Sequence, residues 1–244
     1  MLKYHHFSTL QHAVRRVPVL SAINVYGKQR YAGWTTAPAR TAGCATTAST
    51  TTPSWTTPGM PRAASIAATC RAARTPNGAT LAAAKTAADM TCSYANAVPQ
   101  VPAFNRAIMG YHGQWGRLEQ MLLEQGVEGE SGKSARICVY SGPIFLNDDP
   151  VYASVQVALS CFKVVAWFDA RGALRATGFR LSQEKLVDGI DFEVLHFDKL
   201  FKMQQKPLAW IEGATGLAFP QALRDADTHD AASKPSTTTP SSGC

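Results

Sequence analysis

Hydrophobic positions fall into blocks separated by stretches of different texture. In "HFSTLQHAVRRVPVLSAINVYG" the run from Val17 to Val25 reads as a strand, with Tyr26-Gly27 as a turn after it. "ATLAAAKTAADM", starting at Ala79, has the composition of a helix. "CSYANAVPQVPAFN" is punctuated by proline and reads as irregular. "QWGRLEQMLLEQG" is an amphipathic helix: Trp115, Leu118, Met121 and Leu122 form its apolar stripe, and Gly126 suits its stop. "ARICVYSGPIF" reads as a strand ending in a Ser-Gly-Pro turn. "SCFKVVAWFDARGALRATGFRLSQ" reads as a hairpin turning at Asp169 to Gly172. "FDKLFKMQQKPLAWIEGATGLAFPQAL" suggests a helical segment that closes the domain.

Two stretches break this texture. Residues 32–78 are dominated by Thr, Ala, Pro, Arg and Gly and almost lack large aliphatics, so they cannot bury enough apolar surface to offset the entropy of ordering. Residues 228–244 read as a disordered Ser/Thr/Pro-rich tail. The expected organisation is therefore a folded part at 1–31, an anomalous segment at 32–78, the remainder of the same domain at 79–227, and the tail.

Charge sharpens the anomaly. The chain of 244 residues carries a formal net charge of +7, which on its own points to an acidic partner such as nucleic acid. Asp89 is the first acidic residue. Residues 1–88 hold 10 of the 24 Lys/Arg, leaving 14 against all 17 Asp/Glu in the rest, a net of −3. The basic character belongs to the N-terminal part alone. The six cysteines form no C-x-x-C pair, so neither a zinc site nor a disulfide framework is expected, and Cys138 and Cys161 read as buried, reduced strand residues. No apolar run approaches a membrane span, and "MLKYHHFSTLQHAVRR" lacks the apolar centre of a signal peptide. The default expectation is a cytoplasmic protein without a membrane partner.

"NAVPQVPAFN" followed by "WGRLE", then "VYSGPIF", then "KVVAWF" with "LRATGFRLSQ", together resemble the DNA/RNA non-specific endonucleases, the ββα-metal nucleases that include endonuclease G-like enzymes. The likeness covers roughly residues 4–30 and 80–226. It implies an α/β (α+β) fold with a central antiparallel sheet flanked by helices. It also implies Mg2+- or Mn2+-dependent hydrolysis of phosphodiester bonds in DNA and RNA, with substrates gripped through the phosphate backbone.

Carried over by motif, Asn105 is the direct metal ligand. Glu119, four residues after Trp115, orients waters around the cation, and Asn96 holds geometry near the general base. Arg16, or its neighbour Arg15, contacts phosphate. Plainer readings exist for each: Asn105 as a turn residue, Glu119 as a solvated helix glutamate, His112 as an ordinary loop histidine rather than a substitute base. His5, His6 and His12 read as surface residues, and Trp115, Trp167 and Phe168 as core aromatics. Met1 lies close to the first family residues, which leaves room for a longer protein with a preceding domain.

The family's base is the histidine of an Asp-Arg-Gly-His motif upstream of the Asn. That tetrapeptide is absent from this chain, and its place falls in the anomalous stretch. Read one base out of frame, "SIAATC" (65–70) permits Asp-Arg-Gly-His-Leu, with the histidine drawn from the Ala68 and Thr69 codons. The residues before and after it also permit a continuous family segment. Two compensating frameshifts around residues 32–78 account for the missing acids as well as the missing motif; a natural disordered insert is the alternative. The chain as written is expected to be nearly inactive. A second reading is a catalytically dead remnant that binds nucleic acid or a partner protein.

Overall fold

The computed structural model describes residues 1–4, 6–26, 66–69, 80–91, 94–100, 102–105, 113–126, 136–152, 155–184 and 205–231. Its centre is a seven-stranded antiparallel sheet in the order β1-β2-β3-β6-β9-β10-β11. The strands are β1 (Leu2–Lys3), β2 (Phe7–Gln11), β3 (Pro18–Tyr26), β6 (Arg136–Ile144), β9 (Ser160–Phe168), β10 (Leu174–Ser182) and β11 (Gln205–Lys206). Two short pairs stand apart: β4 (Ile66–Thr69) with β5 (Ala97–Gln100), and β7 (Val151–Tyr152) with β8 (Val155–Gln156). The helices are α1 (Leu81–Thr91), α2 (Pro102–Asn105), α3 (Gln114–Gly126), α4 (Leu208–Thr215), α5 (Gln221–Asp225) and α6 (Thr228–Ala231).

Alternation along the central strands sends side chains to two buried faces. On one face Ile23, Val25, Ile137, Val139, Cys161, Val165, Phe179 and Leu181 pack with Phe104 of α2 and Trp115 and Leu118 of α3. On the other, Ile144, Phe162, Val164, Ala166 and Ala176 pack under Leu208 and Ile211 of α4, Phe219, and Leu223 of α5. Coverage on both sides explains why β9 is apolar almost throughout.

The β9–β10 hairpin, the amphipathic α3 and the strand after Val17 lie where the pattern puts them. Five expectations are corrected. Ser141-Gly142-Pro143 is not a turn but part of β6. Pairing with β3 ends at Ser21–Ser141, so Pro143 meets no ladder on that side, and a Cβ on Gly142 would collide with the Val19 carbonyl oxygen. The Pro-punctuated stretch contains a 3-10 turn at Tyr94–Asn96, then β5, then α2. β5 is ordered by pairing with β4, in a two-stranded sheet that tolerates Pro99.

The closing segment is not one helix. Gln205–Lys206 pairs with β10, and the left-handed Gly216 (φ 69°) and then Pro220 separate α4 from α5. Within the expected tail, Thr228–Ala231 is a helical turn started by Asp227, whose Oδ1 accepts the His229 N–H at 3.0 Å.

Of the stretch 32–78, only residues 66–69 are described, and they form an ordered strand instead of the expected disorder. Its remainder, and residues 232–244, lie outside the described residues. Among the described residues, no helix is long and apolar enough to cross a membrane.

Candidate active site

A polar row crosses the otherwise apolar α3-facing side of the sheet. The register sets Thr9 of β2 opposite Ser21 of β3, Ser21 opposite Ser141 of β6, and Ser141 opposite Lys163 of β9. All four are buried. Each end of the Ser21–Ser141–Lys163 segment holds a residue that the sequence singled out.

At one end is Asn96, fully buried in the turn before β5. Its Oδ1 accepts from Ser21 Oγ at 2.8 Å, and its Nδ2 donates to the Thr91 carbonyl at the end of α1 at 2.9 Å. The turn itself is tied to β2, where Gln11 Nε2 donates to the Ala95 carbonyl and to Thr9 Oγ1. Asn96 is thus fixed between α1 and the sheet.

At the other end is Glu119. Trp115 and Glu119 are one turn apart on α3 and share a face. Both meet Lys163: its Nζ lies 3.2 Å from Glu119 Oε1, 3.1 Å from Ser141 Oγ and 4.0 Å from the centroid of the Trp115 ring. The Lys163 side chain is 2% exposed and that of Glu119 14%. Glu119 is therefore not a solvated helix glutamate.

Asn105 ends α2 and is half-buried. The adjacent Phe104 packs its ring 6.0 Å from that of Trp115, centroid to centroid, so α2 and α3 meet one turn from Glu119. A carboxamide and a carboxylate offer hard oxygen of the kind a hydrated Mg2+ accepts. Among the described residues, no three His, Cys, Asp or Glu side chains gather into a metal cluster.

The arginine pair divides. Arg15 is committed within the fold: its guanidinium pairs with the buried Asp149, donates to the Leu146 carbonyl, and lies 4.5 Å from the Phe145 ring centroid. Arg16 is exposed, with φ of 56°, a left-handed conformation that is uncommon outside glycine. The turn between β2 and β3 that carries it packs through Val17 onto Val98 of β5, next to the Asn96 turn. His12 is not a plain surface residue. Half-buried, it organises this turn, with Nδ1 accepting the N–H groups of Val14 and Arg15 at 3.2 and 3.1 Å. His6 is exposed, and His5 and His112 lie outside the described residues.

β4 runs beside β5, with Ala68 opposite Val98 and Thr69 opposite Ala97, the residue after Asn96. Trp115 is a core aromatic and Trp167 packs at the core margin, but Phe168 is 63% exposed. Cys161 is buried and Cys138 half-buried, both as free thiols. Burial pushes the Cys161 thiol up to about 12, against the opposing pull of its hydrogen bond from Gln100 and of the Lys163 charge. Neither cysteine is a nucleophile at neutral pH.

Sequence reasoning missed Ser21, Ser141 and Lys163. The lysine had a signal: a single cation inside the apolar run "SCFKVVAWF". The serines had none, because only the strand register aligns them.

Comparisons with known proteins bear on the fold and the family. A chain of the EndoG/EndoGI complex, from a crystal structure addressing the mechanism of EndoG inhibition, superposes with a TM-score of 0.59, covering 89% of this chain and 84% of that one. At 16% identity that likeness concerns the fold alone. An uncharacterized protein y4fB of Sinorhizobium fredii is 30% identical over 150 residues, a stretch covering 60% of this chain and 21% of that protein. The chain thus matches about a fifth of that relative's length. The family model for DNA/RNA non-specific endonucleases matches residues 1–226, through both ends of the polar row and the strands that carry it. The chain belongs to the DNA/RNA non-specific endonuclease family.

Proposed function

We propose that this is the scaffold of a metal-dependent endonuclease that hydrolyses phosphodiester bonds in DNA and RNA, and that the chain as written lacks its general base. The observation that carries the reading is the row Ser21–Ser141–Lys163, which holds Asn96 at one end and Glu119 at the other on one sheet face. Two residues chosen by motif are both pinned at the same transverse line of a rigid sheet.

Asn105 would offer its carboxamide oxygen to a divalent cation, Mg2+ or Mn2+. Glu119 would orient the surrounding waters, and Arg16 would meet a backbone phosphate from its exposed turn. A bound cation supplies Lewis-acid stabilisation of charge on the phosphoryl and leaving oxygens. Gripping phosphate without reading base edges gives little sequence preference, in keeping with a substrate range of both DNA and RNA.

The base is the missing group. In the shifted frame the histidine comes from the Ala68 and Thr69 codons, and these residues lie opposite Val98 and Ala97, beside the Asn96 turn. The backbone rung that would deliver the histidine is thus next in the chain register to Asn96. This supports reading residues 32–78 as two compensating frameshifts. Sequencing the gene across codons 28–82, with peptide mass spectrometry of the natural product, tests that part. A single restored frame containing Asp-Arg-Gly-His is expected; peptides matching "SIAATCRAARTPNG" would overturn it.

The second reading, a remnant that binds nucleic acid without cutting it, is favoured by the missing motif. It predicts a gel shift with plasmid DNA and no nicking in Mg2+.

A further inference from the structure

We propose that Lys163 is a positioning residue of the candidate metal site: its buried ammonium aims the Glu119 carboxylate and couples it, through Ser141, to the strand row that also holds Asn96. The inference rests on the reading of Asn105 and Glu119 given above.

Lys163 is an expensive residue for its place. Its neighbours on the same face of β9, Cys161 and Val165, are core residues, and at 2% exposure the ammonium does not reach water. A methionine would fill the same space without burying a charge, and exchanging a buried ion pair for apolar groups is often neutral or stabilising. Packing alone does not account for a lysine here.

Its partners do. Nζ has three N–H groups and three directions to satisfy: Glu119 Oε1 at 3.2 Å, Ser141 Oγ at 3.1 Å and the Trp115 ring face at 4.0 Å. Trp115 and Glu119 lie on adjacent turns of α3, so a single cation on β9 contacts both. One carboxylate oxygen of Glu119 is fixed by the lysine. The pair has no net charge, so Glu119 presents an oriented acceptor instead of an uncompensated anion. That suits a cation which keeps several of its waters.

The test titrates Mn2+ into the full chain and into Lys163→Met, Lys163→Arg, Glu119→Gln, Asn105→Ala and the double variant Lys163→Met/Glu119→Gln, with melting temperatures in parallel. Lys163→Met is expected to weaken Mn2+ binding roughly ten-fold, the usual loss when a partner that orients a ligand group is removed. Lys163→Arg, which keeps the charge, should recover part of that affinity. The double variant leaves no unpaired charge, so its melting temperature should recover, which separates the cost of the unpaired carboxylate from the loss of affinity. A purely structural lysine would leave the Mn2+ affinity of the folded Lys163→Met protein unchanged. Where Lys163→Met does not fold, Lys163→Gln, which keeps a donor toward Ser141, gives the same comparison.

Mn2+ binding by the folded Lys163→Met or Lys163→Gln protein equal to that of the parent overturns the inference. A different pattern marks failure of the site reading itself, and the inference falls with it: no Mn2+ binding by the parent, or binding that neither Asn105→Ala nor Glu119→Gln changes.

Discussion

Asn96 shows how a residue can be fixed from two sides. Its amide accepts from Ser21 on the sheet and donates to the Thr91 carbonyl closing α1, with no exposure to solvent. Replacing it by alanine removes a bond from each partner in a buried setting, where an unsatisfied polar group costs about 1–3 kcal/mol. Asn96→Ala should therefore lower the melting temperature measurably, whether or not the protein cuts DNA, and chemical denaturation would give the size of the loss. This stability role coexists with the proposed catalytic one, so lost activity in that variant must be read beside its melting curve.

Legibility at this scale was uneven. The types at Asn96, Asn105 and Glu119 stand out in the sequence because short motifs flank them. Lys163 was visible as an oddity without a meaning, since its partners come from α3 and β6, 44 and 22 residues away in sequence. Phe168 misled, because a strand-end aromatic can point outward and nothing local says so. That Arg15 is committed to Asp149, 134 residues away, could be seen only in the folded loop.

Among the elements, two acidic residues organise the ends of structure, and each gives a prediction. Asp227 is buried, and its Oδ2 accepts the Leu208 N–H at 2.6 Å while Oδ1 accepts the His229 N–H at 3.0 Å. One carboxylate thus serves the first turns of both α4 and α6, whose N–H groups have no partner inside their own helices. Asp227→Ala should destabilise the protein by roughly 1–2 kcal/mol, the range of a lost helix cap. Hydrogen exchange should show faster opening of residues 208–215 than of β9.

Asp169 closes the β9–β10 hairpin. Its carboxylate accepts the backbone N–H of Ala173 at 3.0 Å, the Arg175 Nε–H at 2.9 Å and the Arg171 N–H at 2.9 Å. The Ala173 bond and then the Arg175 bond hold its carboxyl below the usual carboxylate value. A depressed folded-state value means that the contribution is complete above the unfolded pKa, about 4, and is lost as pH falls through the lower folded one. Asp169→Asn should melt below the parent at pH 7, and the gap should close in melting scans taken near pH 2.

Element periods explain which segments were readable. α3 and the β9–β10 hairpin carry complete local signals, a stripe of Trp115, Leu118, Met121 and Leu122 in one and a four-residue turn in the other. β5 carries none: it contains Pro99, and its partners, β4, Val17, Cys161 and Gln183, all come from elsewhere in the chain. β11 is a two-residue strand taken from a stretch with helical composition, and Pro207 and Pro220 then start separate helices.

Across the whole molecule, the sheet is a rigid frame with helices on both faces, and the candidate site lies along one transverse row of it. Three of the motif residues lie on three different supports: Asn96 in a turn, Asn105 at the end of α2, Glu119 within α3. On the proposed reading the segment that would bring the base is the one out of frame, and β4, which pairs with β5, falls within it. Composition made that segment conspicuous, through its lack of acids and large aliphatics.

Plasmid nicking in Mg2+ tests the central claim most directly, comparing the chain as written with the product of the same gene read in the shifted frame across residues 32–78. General-base catalysis alone contributes roughly 10²–10⁴-fold, so the frame-restored protein should nick at least that much faster. Its activity should vanish with EDTA and with Asn105→Ala. Equal nicking by the two proteins, or none by a folded frame-restored protein, would contradict the account.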